Sequence, residues 1–142
     1  MTGSSCHVAI IGAGPYGLSI AAHLRARDIE FRIFGSPMHS WRSRMPAGMF
    51  LKSEGFASSL HDPAGRFTLK RFCAESGLPY EANGLPVPLE TFTAYGLAFQ
   101  RRLVPNVEDK AVVRLDQSPD GFLLRWMMVR WSRHATSLSP SA

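Results

Sequence analysis

Three glycines near the N-terminus have the spacing of a phosphate-binding turn. Gly12, Gly14 and Gly17 form the pattern G-x-G-x-x-G directly after the apolar run His7–Ile11 and before a helical pattern that starts at Leu18. In this context the first glycine permits a tight turn, the second lets the main chain approach a pyrophosphate, and the third lets the helix pack closely on the strand. The free N–H groups and positive dipole end of the helix favour phosphate. We therefore expect a dinucleotide site, although a glycine-rich turn without a ligand has the same pattern. The loop residues expected to contact the dinucleotide are Gly12, Ala13, Gly14, Pro15, Tyr16 and Gly17.

The acidic residue that usually accompanies this motif is missing. An Asp or Glu is expected about 20 residues after the glycines, at the end of the second strand, where it binds the ribose hydroxyls. Gly35 takes that place, and Glu30 lies before the strand, at its wrong end. Ribose recognition must therefore be weaker or come from elsewhere. Ser36, His39 and Arg42 are the nearest candidates, and each also reads as an ordinary loop residue.

The elements around the glycine motif predict a β-α-β unit. His7–Ile11 suits a strand buried on both faces, Leu18–Arg27 a helix with Leu18, Ala21 and Ala22 inside, and Phe31–Phe34 a second strand. A unit of this length implies parallel strands with a right-handed crossover. The sequence therefore predicts an α/β fold with a Rossmann-type parallel sheet.

The rest of the chain predicts further helices and a hairpin. Residues 38–63 are apolar without clear periodicity and read as packed loop with short helix. The remaining elements are expected at Thr68–Ser76 (a helix ended by Gly77), Leu89–Leu103 (a helix with Phe92, Tyr95 or Gly96, and Phe99 on one face), and Val112–Leu115 with Phe122–Leu124 (two strands joined at Asp120-Gly121).

Composition narrows the class of protein. The chain has 142 residues, 45% of them hydrophobic, which fits one globular domain. No apolar run approaches the roughly 20 residues that cross a bilayer. No signal peptide is recognisable, and two cysteines make no disulfide framework, so we expect a cytoplasmic protein with no membrane association and no metal site. The net charge of +5 comes from scattered basic residues, so nucleic acid is not an expected partner.

The chain resembles a known family of flavoproteins. Val8–Leu18 looks like the FAD-binding N-terminus of oxidoreductases with two dinucleotide domains. Later segments are similar to the flavin-dependent monooxygenases, including the lysine and ornithine N-hydroxylases. These segments are Trp41-Arg42, Phe50-Leu51-Lys52, Asp62-Pro63, Phe67-Thr68-Leu69 and Pro88–Phe92 with Tyr95.

The resemblance implies an activity and a set of partners. In this family NADPH reduces FAD, O₂ adds to the flavin, and a bound substrate such as an amine is oxygenated. Lys52 matches a lysine that lies near the nicotinamide and substrate, although an exposed lysine is an equal interpretation. Trp41 and Met49 are candidates to line the flavin, with a plain core role as the alternative.

The chain also departs from the family. Family members run several hundred residues and contain a second glycine motif for NADPH, which is not found here. We therefore expect an incomplete FAD domain that lacks turnover by itself, with a non-catalytic dinucleotide-binding module or an inert fragment as the alternative. A disulfide reductase is a further alternative, but Cys6 and Cys73 are far apart in the sequence.

The last residues do not continue the pattern of the domain. Trp and Met each have a single codon, so the codons of Trp126–Val129 are almost fully determined. Read in the frame one base earlier, the same bases encode an apolar residue followed by Asp-Asp-Gly, which is typical of a hairpin turn. The sequence therefore predicts a partial FAD domain over residues 1–125 and an aberrant tail over residues 126–142, for which a shifted reading frame is the hypothesis and a disordered C-terminus the alternative.

Overall fold

The first part of the fold is a parallel β-α-β unit, seen in a computed structural model that describes residues 4–128. Strand β1 (Val8–Ile11) leads through helix α1 (Pro15–Ala26) to strand β2 (Phe31–Phe34), and the two strands pair in parallel over four residues each. The predicted unit is confirmed. Helix α1 begins three residues before the expected start at Leu18, because a proline is well suited to the first helical position, where no N–H partner is needed.

A third strand completes the parallel sheet and was not predicted. Strand β3 (Val107–Glu108) pairs in parallel with β2, giving the order β1-β2-β3. Glu108 receives hydrogen bonds from Arg32 at 2.8 Å and 2.6 Å, and this guanidinium holds the pKa of the carboxyl below its usual value. The ion pair therefore joins β2 to β3 beside their two-residue pairing.

Within the described residues, three further α-helices and a 3₁₀ turn follow β2. Helix α2 (His39–Ser43) and a 3₁₀ turn (Gly55–Ala57) lie in the segment predicted as loop with short helix. Helix α3 (Leu69–Ser76) starts at Thr68, whose hydroxyl accepts the main-chain N–H of Arg71 at 3.2 Å, and ends at Gly77 with φ +68°. Helix α4 has the predicted bounds, Leu89–Leu103.

The core lies between the sheet and the helices and is centred on Tyr95. This side chain is fully buried on the predicted apolar face of α4. Its hydroxyl accepts the main-chain N–H of Leu60 at 3.0 Å and donates to the carbonyl of Phe67 at 2.8 Å. These two hydrogen bonds fix the segment between the 3₁₀ turn and α3 to helix α4. The buried core around it includes Ile10, Leu18, Ala21, Ala22, Ile33, Met38, Phe92 and Phe99.

The second face of β1 is not buried. Ile10 is 9% exposed, whereas Ile11 is 53% exposed. The expectation that this strand is buried on both faces was therefore wrong for Ile11, because among the described residues the helices cover the Ile10 side of the strand. Alternation of buried and exposed residues is what one covered face produces.

A two-stranded antiparallel hairpin ends the described chain. Strands β4 (Lys110–Ser118) and β5 (Gly121–Met128) are longer than predicted and turn at Pro119-Asp120. Trp126 of β5 stacks on Phe34 with ring centroids 5.3 Å apart. The predicted boundary at residue 125 falls inside β5, and residues 129–142 of the predicted tail lie outside the described residues. The division of the chain into domain and tail stays a prediction.

Two features are absent from the described residues. Over residues 4–128 no helix combines the length and apolar character that a membrane crossing requires. Over the same residues no group of three or more His, Cys, Asp or Glu side chains is placed to hold a metal ion.

Candidate functional site

The glycine turn between β1 and α1 leaves its ligand side free of side chains. Gly12 has φ +111°, which favours glycine, and its N–H donates to the carbonyl of Phe34 at 2.8 Å. Gly14 caps α1 in an extended conformation. A Cβ atom added at either glycine would have no heavy atom within 4 Å. These two glycines therefore leave open space where a ligand would have to approach the main chain.

Gly17 is constrained by packing. A Cβ atom at this position would lie 2.1 Å from the carbonyl oxygen of Gly12 and 3.4 Å from the side chain of Ile10. No real Cβ contact is that short, so a side chain here would push α1 away from β1. The third glycine of the motif thus sets the distance between helix and strand.

A cavity of about 500 Å³ opens at this turn. It lies at the carboxyl ends of β1 and β2 and at the N-terminus of α1, and we call it the glycine cavity. Its lining includes four of the six predicted loop residues and Trp41, and Tyr16 and Gly17 are absent from it. The lining residues are Gly12, Ala13, Gly14, Pro15, Gly35, Ser36, His39, Ser40, Trp41, Arg44, Lys110 and Ala111.

No acidic side chain lines the glycine cavity at the carboxyl end of β2. Gly35, with φ +139°, donates its N–H to the carbonyl of Glu108 at 3.0 Å. Ser36 is 6% exposed, and its hydroxyl accepts a hydrogen bond from Nη1 of Arg42 at 3.3 Å. Ser36 and His39 thus reach the position predicted for them. Arg42 bonds to Ser36 and does not line the cavity, whereas Arg44 does.

Three basic side chains, His39, Arg44 and Lys110, line the glycine cavity. Burial, and then the nearby Arg44 and Arg42, lower the pKa of His39, and Asp109 opposes that shift. Lys110 reaches the same rim from β4, with its Nζ 3.3 Å from Glu108 and its side chain 24% exposed. The lining therefore combines hydroxyls and cations without a carboxylate.

A second, more apolar cavity of about 670 Å³ lies next to the first. Pro15 and Trp41 line both cavities, so the two cavities are neighbours at these residues. Trp41 is held edge-on against Phe92 with ring centroids 4.7 Å apart. We call this space the apolar cavity. Its other lining residues are Tyr16, Ser19, Met45, Met49, Phe50, Leu51, Lys52, Ser53, Ala57, Ser58, Ser59, Leu60 and Phe92.

Two residues singled out by the resemblance lie at the apolar cavity. Lys52 is exposed at its rim, and Met49 is half-buried in its wall. Main-chain hydrogen bonds hold this segment in place, since Leu51 donates to Val87 and Leu89 donates to Met49, each at 2.9 Å. The structure thus brings Trp41, Met49 and Lys52 together.

The cysteines do not form a redox pair. Cys6 and Cys73 are both free. Cys73 is 1% exposed on α3, and burial raises the pKa of its thiol, which makes the reactive thiolate harder to form. These cysteines do not supply the dithiol that a disulfide reductase of the expected kind would need.

Comparisons with known proteins show the fold. No family model and no curated protein matches the sequence. Among solved structures, the chain is similar to a bacillithiol disulfide reductase from Staphylococcus aureus, with a TM-score of 0.66 and 18% identity over 85% of this chain and 33% of that chain. It is also similar to a flavin-containing monooxygenase from Stenotrophomonas maltophilia, with a TM-score of 0.65 and 22% identity over 88% of this chain and 34% of that chain.

A third solved structure extends the comparison. It is an oxidised steroid monooxygenase bound to NADP, with a TM-score of 0.67 and 18% identity over 87% of this chain and 23% of that chain. The chain therefore spans about a quarter to a third of the length of these proteins. The predicted α/β fold with a parallel sheet is confirmed, and it is the fold of a region of flavin monooxygenases and reductases.

Proposed function

We propose that the chain forms the FAD-binding part of an FAD-dependent oxidoreductase of the flavin monooxygenase type. The observation that carries this proposal is the glycine cavity, where Gly12 and Gly14 leave open space at the N-terminus of α1. A pyrophosphate there would accept hydrogen bonds from main-chain N–H groups of the first helical turn and would face the positive end of the helix dipole. The fold that the chain shares with flavin monooxygenases supports the same assignment.

The two neighbouring cavities suit the two ends of this cofactor. The glycine cavity offers polar and cationic groups to the ribose and phosphates, while the apolar cavity offers a wall for the flavin ring. Trp41 lies between them. The flavin supplies the electron-transfer chemistry when bound, and the residues of this chain bind it, orient it and exclude water from it.

The reaction itself is a proposal for the whole protein. NADPH is the proposed reductant, and the solved steroid monooxygenase was bound to NADP. Lys52, exposed at the rim of the apolar cavity, is the proposed cation at the substrate side. A lysine there would attract an anionic group of the nicotinamide nucleotide or substrate to the flavin ring.

Titration of the full chain with FAD tests the cofactor assignment. We expect saturable binding, followed by flavin fluorescence, that is at least tenfold tighter for FAD than for FMN or riboflavin. Riboflavin lacks the whole adenosine diphosphate that the glycine turn would hold, and FMN keeps one phosphate but lacks the adenosine monophosphate. Equal affinity for the three flavins, or no binding by a chain whose circular dichroism shows it to be folded, would contradict the proposal.

A second assay separates the enzyme from a non-catalytic binding module. The chain saturated with FAD is mixed with NADPH, and absorbance at the nicotinamide band is followed in the presence of O₂. Binding of FAD without NADPH oxidation above the rate of free FAD would assign this chain a binding role alone. Lys52→Met is the matched variant if oxidation is observed, since it keeps the length of the side chain and removes its charge.

A further inference from the structure

A cavity of about 460 Å³, separate from the two described above, lies where the C-terminal ends of α1 and α4 meet the segment after the 3₁₀ turn. We call it the arginine cavity. It shares no lining residue with the glycine cavity or the apolar cavity. Its volume falls within the range of small-molecule sites, about 300–1,000 Å³. The lining residues are Ala22, Arg25, Ala26, Asp62, Pro63, Ala64, Arg102 and Leu103.

Two exposed arginines of this cavity are held in place by contacts at the helix ends. Nη1 of Arg25 donates to the carbonyl of Leu103 at 3.3 Å, which joins the last turn of α1 to the last turn of α4. Nη2 of Arg102 donates to Glu75 at 2.7 Å, and its guanidinium lies 4.3 Å from the centre of the Phe67 ring. A guanidinium has five N–H donors, and these hydrogen bonds use one on each arginine. Both arginines therefore retain donors for a ligand carboxylate.

Asp62 brings a buried carboxylate to the same cavity. The residue is 6% exposed, and its two carboxylate oxygens accept the main-chain N–H groups of Arg66 and Phe67 at 3.4 Å and 3.5 Å. These hydrogen bonds are longer than the usual range of about 2.7–3.2 Å. Within residues 4–128 no ion pair joins this carboxylate to a cation. A buried carboxylate without a paired cation is costly, so an ammonium group of a ligand would stabilise it.

The arginine cavity thus contains opposite charges that do not neutralise each other. The rest of its lining is apolar, with three alanines, a proline and a leucine. A matching ligand has an anionic group and a cationic group close together and an aliphatic remainder. We propose that this cavity binds a free α-amino acid with an aliphatic side chain, whose carboxylate contacts Arg25 and Arg102 and whose ammonium group contacts Asp62. This site goes beyond the proposed function and does not depend on a dinucleotide.

Three ligands with the same carbon skeleton test the proposal by calorimetric titration of the full chain. L-leucine carries both charges, 4-methylpentanoate is leucine without the ammonium group, and 3-methylbutylamine is leucine without the carboxylate. We expect leucine to bind at least tenfold more tightly than either analogue. Equal affinity of leucine and 4-methylpentanoate would overturn the proposal, because it would show that the arginines attract any carboxylate. Absence of leucine binding by the folded chain up to about 10 mM would overturn it as well.

Charge-removing variants test the two arginines. Arg25→Met and Arg102→Met each remove a guanidinium, and each is expected to weaken leucine binding at least threefold without weakening the binding of 3-methylbutylamine. Arg101→Met is the matched control, since Arg101 is exposed in the same turn of α4 and does not line the cavity. Its leucine affinity should equal that of the wild type. Wild-type leucine affinity in both Arg25→Met and Arg102→Met would overturn the proposal.

A variant of the carboxylate tests the other end of the ligand. Asp62→Asn keeps the shape of the side chain and an oxygen that accepts a main-chain N–H, and it removes the negative charge. In a variant that circular dichroism shows to be folded, leucine and 4-methylpentanoate are expected to bind within about twofold of each other. A preserved tenfold preference for leucine would contradict the contact with Asp62. If the variant does not fold, the ligand series and the arginine variants decide the proposal.

The cofactor proposal and this inference fail independently, because leucine is titrated without FAD and FAD without leucine. Leucine binding by a chain that does not bind FAD would support this inference and contradict the proposed function. FAD binding by a chain that does not bind leucine would overturn this inference and leave the proposed function standing. Competition between leucine and FAD would place leucine at the glycine cavity or the apolar cavity and would overturn the assignment to the arginine cavity.

Discussion

Substitutions at two glycines of the same turn should affect different properties. The change at Gly14 should weaken FAD binding, and the change at Gly17 should lower the free energy of unfolding. Gly14→Ser places a side chain into open space, since no heavy atom lies within 4 Å of the added Cβ. The backbone of Gly14 is extended, with φ −84°, so serine adopts it without strain and is a favoured helix N-cap. Gly17→Ala instead places its Cβ 2.1 Å from the carbonyl oxygen of Gly12.

The expected magnitudes follow from these distances. For Gly14→Ser the free energy of unfolding should stay within about 0.5 kcal/mol of the wild type, because glycine and serine differ little as N-caps. Its Cβ and hydroxyl would occupy the space next to the pyrophosphate, and we expect at least tenfold weaker FAD binding, about 1.4 kcal/mol. Gly17→Ala requires a main-chain shift and should lower the free energy of unfolding by about 1–3 kcal/mol.

Thermal unfolding and FAD titration of the two variants form the assay. Gly14→Ser should keep the Tm and lose affinity, while Gly17→Ala should lose several degrees of Tm. Wild-type FAD affinity in Gly14→Ser would refute the placement of the pyrophosphate at this turn. A wild-type Tm in Gly17→Ala would refute the argument that this glycine sets the distance between α1 and β1.

Three other substitutions test the contacts that hold the fold. Tyr95→Phe leaves the buried N–H of Leu60 without its partner and should cost about 1–3 kcal/mol in urea unfolding. Burial raises the pKa of Tyr95 to about 12, so the wild type should lose stability as the pH rises from 10 toward 12, and the Phe variant should not show that loss. Glu108→Gln should cost up to about 1 kcal/mol at pH 7. Because Arg32 lowers the pKa of Glu108, this stabilisation is present above the ordinary carboxyl pKa and disappears as the pH falls through the folded value, so the two proteins should converge in stability at acidic pH. Thr68→Ala should cost about 1 kcal/mol in thermal unfolding through loss of the N-cap, and Thr68→Ser should restore it.

Elements with a strong local signal were predictable from the sequence. The bounds of β2 and α4 agree with the prediction, and α3 starts one residue later than predicted and ends at the predicted residue. Strand β3 was missed because two residues, Val107 and Glu108, carry no periodicity of their own. Their strand conformation comes from pairing with β2, a contact between residues far apart in the sequence. The start of α1 was placed too late because the glycine motif was read as loop up to Leu18.

The candidate site was predictable where one short segment supplies it. The glycine turn and the place of the missing acid follow from spacing alone, and the structure brings Ser36 and His39 to that place. Arg42 was the predicted residue, but Arg44 lines the cavity instead. Residues two positions apart at the end of a short helix point in different directions around its axis, and the sequence does not show which one faces the cavity. Lys110 had no sequence signal, since only the distant pairing of β2 with β3 brings it to the cavity.

The pairing between β2 and β3 also sets the order in which the cavity can form. The turn at Gly12 and Gly14 belongs to a local unit that needs only β1, α1 and β2. The ion pair of Arg32 and Glu108 closes a separation of 76 residues, which costs more chain entropy and favours later formation. During synthesis the glycine-turn side of the cavity can therefore form before Lys110 has been added to the chain. A ligand that contacts both halves would join an early unit to a late one and stabilise the completed fold by mass action.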